Sequence, residues 1–421
     1  MERYQKTVLD NGIRVVTETI PTLESVSLGL WITTGSRDET PQENGISHFI
    51  EHLFFKGTDS RSAFDITRAI ESVGGSINAF TGKEYTCIHA KVLQNDIALA
   101  LDVVTDIFAN SIFDPEELER EKMVVLQEVK MIEDTPEDLI HDLFNRFFWA
   151  DNGLGFPVTG TQENILSFQQ SQIKTFFRNH YTSGKVIVAV AGRMHHQQVV
   201  DLIASRLDRC QPSPSASSRE EPQGGRNGIR VAHRELEQVH LCMGTRGIPH
   251  CHKLRFAGHT LNILLGGNMS SRLFQEIREK RGLTYSIFSF LNTYEDTGLF
   301  GVYAGTTKEE IQDVIELILR ELRNVKEGKI REEELKVAKE YLKGGLILGQ
   351  ESSEGRMSRL AKNEMHWGRH VSLQEALEEL EGVTQDDVGD VAREMLGSDT
   401  LCLTLLGTIE ESELPWESLG L

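Results

Sequence analysis

The strongest constraint on the fold is an internal repeat. Asn11-Gly12-Ile13-Arg14-Val15 recurs as Asn227-Gly228-Ile229-Arg230-Val231, and Glu116-Glu117-Leu118 recurs as Glu333-Glu334-Leu335, at almost the same offset of about 217. Two stretches returning in register over such a distance mean that one structural unit is written twice. At 421 residues the chain is too long for one ordinary core, so two copies suit its length. Between them the composition changes to Gln211-Pro212-Ser213-Pro214-Ser215-Ala216-Ser217-Ser218, then charged residues and Gly224-Gly225, which reads as a linker. The expected division is a first domain over 1–209, a linker over 210–226 and a second domain over 227–421.

Within the first copy, Thr7 to Leu9, Ile13 to Glu18 and Val26 to Thr33 read as strands, with Asp10-Asn11-Gly12 as the first turn. Phe64 to Val73 reads as a helix stopped by Gly74-Gly75, and Ser76 to Lys91 as two more strands. Helices follow over about 95–110, 115–134 and 162–178, and Val186 to Gly192 is apolar enough to be a strand buried on both faces. Strands and helices without a strict alternation give an α+β fold, in two tandem domains of a mainly antiparallel sheet packed with helices.

Chemistry concentrates in His48-Phe49-Ile50-Glu51-His52. On a helix the two histidines stand one turn apart on one face, and Glu51 shares that face. Ile46, Phe49, Ile50, Leu53 and Phe54 make the rest of the helix apolar, so the polar stripe must face something other than bulk water. Neutral imidazoles at this spacing suit zinc, and a carboxylate between them, free of the metal, can take a proton from the attacking water. This is the H-x-x-E-H order of the inverzincin metallopeptidases.

A catalytic zinc needs a third protein ligand on another element. Asp114 before Pro115-Glu116-Glu117 is a helix start, with a cap residue, an N1 proline and acidic residues in the first turn. Along one stripe of that helix lie Leu118, Glu121, Val125, Glu128 and Ile132. Two carboxylates interrupt an apolar face, and spacing alone leaves both Glu121 and Glu128 as candidates for a buried role. His195-His196 and His250-Cys251-His252 read as turn residues without a third ligand.

The string His48 to Thr58, with Glu128 seventy-six residues after His52, resembles the pitrilysin family, and within it the bacterial processing-peptidase-like branch related to the mitochondrial processing peptidase β subunit. The likeness covers nearly the whole chain. It implies one Zn2+ per chain, held by His48, His52 and Glu128, with Glu51 as the base and Glu121 as a second carboxylate close by. It also implies an Arg and a Tyr seven residues apart in the second half, matched here by Arg278 and Tyr285. As bare chemistry these lie in a charged helix end and a strand start. In the family the pair holds the substrate backbone and the oxyanion, a task that suits a guanidinium and a phenol. Asn78-Ala79-Phe80-Thr81, from sequence one strand of a hairpin, matches the edge strand on which an extended peptide adds beside the metal.

The resemblance further implies that each chain forms half of a clamshell whose second domain is degenerate. Carrying the motif forward by the repeat offset lands in Leu261 to Arg272, without His or Glu, and Glu128 lands near Gly345. The activity implied is that of a zinc endopeptidase acting on unfolded peptides or presequence-like oligopeptides in an enclosed chamber. The alternative is an inactive, core-type scaffold subunit of the same family. Such subunits lose motif residues, whereas this chain keeps all of them. The expected partners are a peptide substrate and a second chain, in a homodimer or a heterodimer with a related subunit.

Bulk properties exclude other classes. A formal charge of −20 argues against nucleic acid, since phosphate binding needs a basic surface. No apolar run reaches membrane-spanning length, and Met1-Glu2-Arg3-Tyr4-Gln5-Lys6 carries no secretory apolar region. The five cysteines, Cys87, Cys210, Cys242, Cys251 and Cys402, form no C-x-x-C, so a reducing cytoplasm is expected.

Overall fold

Val186 to Gly192 is buried along its whole length, because the sheet it enters is covered on both faces. In this structure, a computed structural model, residues 4–150, 152–210, 212, 219–222 and 225–413 are described. Of the linker read over 210–226, residues 211, 213–218 and 223–224 lie outside the described residues.

The first sheet comprises β1 (Tyr4–Val8), β2 (Arg14–Thr19), β3 (Ser25–Ile32), β4 (Ser76–Thr81), β5 (Thr86–Leu93) and β6 (Val186–Gly192), in the order β1-β2-β6-β3-β5-β4. Only the β2–β6 pair is parallel. The second comprises β7 (Gly228–His233), β8 (Val239–Gly247), β9 (Ser286–Thr293), β10 (Gly298–Thr306) and β11 (Cys402–Gly407), in the order β7-β11-β8-β10-β9, with only β7–β11 parallel. Leaving β1 aside, the two orders are the same strand for strand. The repeat in the sequence is thus a repeat of topology. It extends to the backbone, since β6 and β11 both end on a glycine of positive φ, Gly192 (141°) and Gly407 (155°). A Cβ at Gly192 would lie 2.4 Å from the Ser25 carbonyl oxygen, and one at Gly407 would lie 2.9 Å from the Gln238 carbonyl oxygen.

Two compact units form, and neither is a single stretch of chain. The first holds Met1–Met131, Phe156–Arg219 and Leu348–His370, and the second holds Ile132–Gly155, Glu220–Ile347 and Val371–Leu421. Each unit therefore borrows a helix from the other half of the sequence, which a linear division at 210–226 does not foresee. Helix Ser353–Trp367 packs on the first sheet, and helix Pro136–Phe148 packs on the second.

The period-2 pattern of the strands shows why a covering helix is needed. On β3 and β6, Leu28, Leu30, Val188 and Val190 join the core on one face, while Trp31, Ile187, Ala189 and Ala191 point to the other. There they meet Met357, Leu360 and Ala361 of the borrowed helix. The Trp31 indole donates to Met357 Sδ at 3.3 Å, and Ser27 and Ser353 share a hydrogen bond of 2.8 Å. In the second unit, Ile140, Phe144 and Phe148 cover Cys242, Leu299, Tyr303 and Leu406 in the same manner.

Most elements lie where periodicity places them, with two differences. The helix expected over 162–178 is two, Gln162–Ser167 and Gln170–His180, because buried Phe168 takes extended backbone (ψ 135°) and packs on Phe49 at 5.5 Å between ring centres. Helix His196–Arg206 begins at a residue read as part of a turn. Its His196 ring is a structural link, with Thr17 Oγ1 at 2.9 Å and Thr7 Oγ1 at 2.8 Å.

Because the outer face of the first sheet is closed by residues from beyond position 347, a fragment of residues 1–209 leaves Trp31, Ile187 and Ala189 bare. We expect it to aggregate, and a synthetic peptide of residues 348–370 added in trans to raise its melting temperature. In the full chain Leu360→Ala removes a fully buried side chain and should cost about 2–5 kcal/mol in denaturant unfolding.

Candidate metal centre

The motif residues lie on the helix Ile46–Phe54, in the first unit. Its apolar side is complete, with Ile46, Phe49, Ile50, Leu53 and Phe54 fully buried. The helix starts at Gly45 (φ 97°), where the backbone presses on Gly160 so closely that a Cβ would lie 2.6 Å from the Gly160 Cα. Its free N–H groups are met by Glu39, whose carboxylate accepts from Gly45 N–H and Ser47 N–H, each at 2.8 Å, and from the Asn44 side chain at 3.0 Å. A buried carboxylate six to eight residues upstream thus fixes the helix that carries the chemistry. Sequence reading missed it, because a capping acid is sought at the cap itself.

The carboxylate helix, Pro115–Asp134, passes the polar stripe. His48 Nε2 and His52 Nε2 approach Glu128 Oε2 at 3.6 and 3.5 Å, and one donor atom from each of the three residues lies within 4.8 Å of the other two. Tetrahedral zinc with bonds of about 2.0–2.1 Å sets its donor atoms about 3.3 Å apart, close to the two spacings from Glu128. Among the described residues, no other His/Cys/Asp/Glu group converges in this way. Glu121, seven residues before Glu128, turns instead to the far side of His52, with Oε2 3.1 Å from Nδ1. Its other oxygen takes Lys56 Nζ at 2.7 Å, a contact no sequence argument had assigned. Spacing alone had left the two carboxylates equivalent, and the geometry separates them.

The electrostatics follow from burial and neighbours. Burial, then the charge of His52, pushes His48 down to about 4 against the pull of Glu128, so its imidazole is neutral, as a ligand must be. Burial also opposes charge on His52, but hydrogen bonds with Glu121 and Glu128 and the nearby carboxylate charges outweigh it and lift His52 to about 9. Burial raises Glu51 above the usual carboxylate range, Thr81 and His52 pull it back, and Glu128 adds to the rise. Glu51 Oε2 and the hydroxyl of neighbouring Thr81 are both buried, near enough for Thr81 to lower Glu51 but short of a well-formed hydrogen bond. A raised pKa suits a group that takes and returns a proton.

β4 is the edge of its sheet, bonded only to β5, and packs beside the motif helix. Ala79 turns inward with Ile88, and Phe80 sits on the opposite face, 38% exposed, edge-on to Trp31 at 5.5 Å. Asn78 pairs with His89 of β5, which leaves the outer side of the strand to a further strand. In the second unit, Arg278 and Tyr285 come together. The guanidinium lies over the Tyr285 ring at 4.8 Å and over Phe274 at 4.7 Å, at the end of a π-helical turn, Phe274–Glu279. Tyr285 is 78% exposed. His250-Cys251-His252 stays a turn.

Comparison with known proteins decides the family. Residues 14–162 match the model of the insulinase-type peptidases, family M16, and residues 167–342 match that of the M16 inactive domain. The chain belongs to peptidase family M16. It is 41% identical to an uncharacterized zinc protease of Streptomyces coelicolor, over 97% of this chain and 90% of the relative. It is also 41% identical to an uncharacterized zinc protease of Bacillus subtilis, over 92% of this chain and 95% of the relative. Among solved structures, a protease from Helicobacter pylori shares its fold at a TM-score of 0.89 and 22% identity, covering 96% of this chain and all of that one. The M16 match confirms the pitrilysin-type family and the α+β fold of two tandem domains, and the inactive-domain match begins late in the first copy and runs over more than half of the copy that lacks the motif. No helix among the described residues is long and apolar enough to cross a membrane.

Burial raises Glu39 to about 7, against its hydrogen bonds from Ser47, Gly45 and Asn44. The folded state then keeps a proton that the unfolded chain releases near 4.5, so stability falls as pH rises from about 4.5 to 7 and is level above. Glu39→Gln should lack this segment of the stability–pH curve, a difference of roughly 3 kcal/mol by urea unfolding. Parallel curves for the two proteins would show that Glu39 does not titrate in this range.

Proposed function

We propose that this chain is a zinc endopeptidase of the M16 family, and the observation that carries the reading is the convergence of His48, His52 and Glu128 with Glu51 left free beside them. His48, His52 and Glu128 would hold the ion. Bound there, Zn2+ supplies a Lewis acid that lowers the pKa of water and polarises a carbonyl. Glu51 takes a proton from the attacking water and returns it to the leaving amine, which is the work of a buried carboxylate of raised pKa. The substrate is an extended segment added to β4 along Asn78, Ala79 and Phe80, because an edge strand recognises main chain and a folded domain has no free strand to offer. Arg278 and Tyr285 supply donors for the carbonyl oxygen. The retained ligand set and the free base speak against the inactive-scaffold alternative. None of the five cysteines is in a disulfide, which supports a reducing compartment such as the cytoplasm.

Metal analysis should give about one zinc per chain, with His48→Ala, His52→Ala or Glu128→Gln losing both metal and peptide hydrolysis. Glu51→Gln should keep zinc and lose turnover by several orders of magnitude, since it removes the base and spares the ligands. An active or metal-free Glu51→Gln protein would overturn these roles.

The working form we propose is a two-fold dimer in which Arg278 and Tyr285 serve the metal centre of the partner protomer. Two-fold symmetry then gives two equal sites. Glu51→Gln and Arg278→Ala proteins should each be nearly inactive, whereas co-expression yields mixed dimers with one site made wholly of intact parts. Recovered activity in the mixture is the expected result. Mixed dimers shown to form and yet inactive would place the pair in its own chain or outside the reaction.

A further inference from the structure

The two imidazoles are supported unequally. His48 Nδ1 is buried without a partner among the described residues, while His52 Nδ1 meets Glu121 Oε2 at 3.1 Å, and Glu121 Oε1 meets Lys56 Nζ at 2.7 Å. A carboxylate held at both oxygens cannot turn away from the ring, and a ring held at Nδ1 has only Nε2 to offer a metal. This Nε2 is the atom 3.5 Å from Glu128 Oε2.

Lys56 is also not an ordinary mobile surface lysine. Its backbone N–H donates to Leu53 carbonyl at 3.1 Å, closing the turn after the motif helix. The next residue, Gly57 (φ 121°), accepts from Ile112 N–H at 3.3 Å, and Thr58 is tied by its N–H to Arg61 carbonyl and by its hydroxyl to Asp106 at 2.7 Å. The stem therefore leaves a fixed backbone, with its side chain 29% exposed and that of Glu121 5% exposed.

We propose that Lys56 is a positioning residue of the metal centre, acting through Glu121 to hold the His52 ring with Nε2 directed at zinc. The proposal rests on the zinc reading above and adds a residue that touches neither metal nor substrate. Removing it frees Glu121 to swing to solvent, and the ring of His52 loses its orientation. The consequence is a weaker hold on the ion, separate from any step of peptide hydrolysis.

The test is zinc affinity by competition with a colorimetric chelator, on the purified full chain, with the melting temperature of the metal-free form as the folding control. Lys56→Met should weaken zinc binding about 10–100-fold, the range for loss of a group that orients a ligand. Lys56→Arg keeps a cation at the site and should stay within about threefold of the native protein. Glu121→Gln should weaken binding as Lys56→Met does, and adding Lys56→Met to it should cost nothing more, because the two residues act in series. Unchanged affinity in Lys56→Met, or losses that multiply in the double variant, would overturn the proposal. A native chain that binds no zinc would overturn the metal reading instead. If Lys56→Met does not fold, Lys56→Gln, with a polar end on a shorter stem, decides the same question by the same outcomes.

Discussion

Three carboxylates, Glu51, Glu121 and Glu128, are gathered around two imidazoles at the edge of a packed core, and this grouping of like charge sets the terms for the rest of the first unit. Burial raises the cost of each charge, and proximity adds repulsion between Glu51 and Glu128. Part of this is offset by His52, which the neighbouring carboxylates raise to about 9 against its burial, and by Lys56 against Glu121. A pocket that must keep a neutral His48 beside these carboxylates is short of positive charge, which a bound dication would supply. The structural cost is met by rigid surroundings. Glu39 fixes the start of the motif helix, its apolar side is sealed without gaps, and Gly57 and Thr58 anchor the turn after it.

That rigidity reaches far along the chain. The first sheet is closed on its outer face by Met357, Leu360 and Ala361, from a helix that comes after most of the second unit. The inner face of the same strands supports the motif helix, with Leu28 and Leu30 in one core with Phe49, Ile50 and Leu53. Residues about three hundred positions apart thus share the two faces of one strand. Gly29 shows how tight this is, since a Cβ there would lie 2.7 Å from Met357 Sδ. The seat of the chemistry depends on a helix that no local reading of the motif would include.

Much was legible beforehand, for reasons that can be named. Period-2 runs such as Leu28-Gly29-Leu30-Trp31 and the unbroken Val186 to Gly192 announce strands buried on both faces, and the caps around Pro115 announce the carboxylate helix. The histidine spacing of the motif is set by helical geometry and needs no tertiary information. Glu121 and Glu128 were visible as acids on one apolar stripe, of which Glu121 is buried and Glu128 about a third exposed, but their division of labour depends on which side of the His52 ring each reaches, which is set by how two helices cross. Lys56 and Glu39 were invisible for a related reason, since their partners are tertiary for Lys56 and displaced by several residues for Glu39. The exchange of helices between halves left no mark, because an amphipathic helix shows that it has an apolar face without showing which sheet it covers.

The second unit shows what the same framework becomes once the ligands are gone. By the offset of the repeat, Glu121 corresponds to Ala338 and Glu128 to Gly345, and the motif corresponds to a stretch ending at Arg272. Here Arg272 pairs with Glu334 at 2.6 Å, and Ala338, Arg272 and Glu334 line a cavity of about 880 Å³. Its charges balance within the protein, with Arg272, Lys280, Lys329 and Arg331 set against Glu276, Glu321, Glu333 and Glu334. No excess negative charge remains for a cation to neutralise. The two copies thus meet the same problem, polar groups in a cleft beside a sheet, in opposite ways. One leaves a deficit of positive charge and the other cancels its charges internally, which agrees with the proposal of one metal per chain.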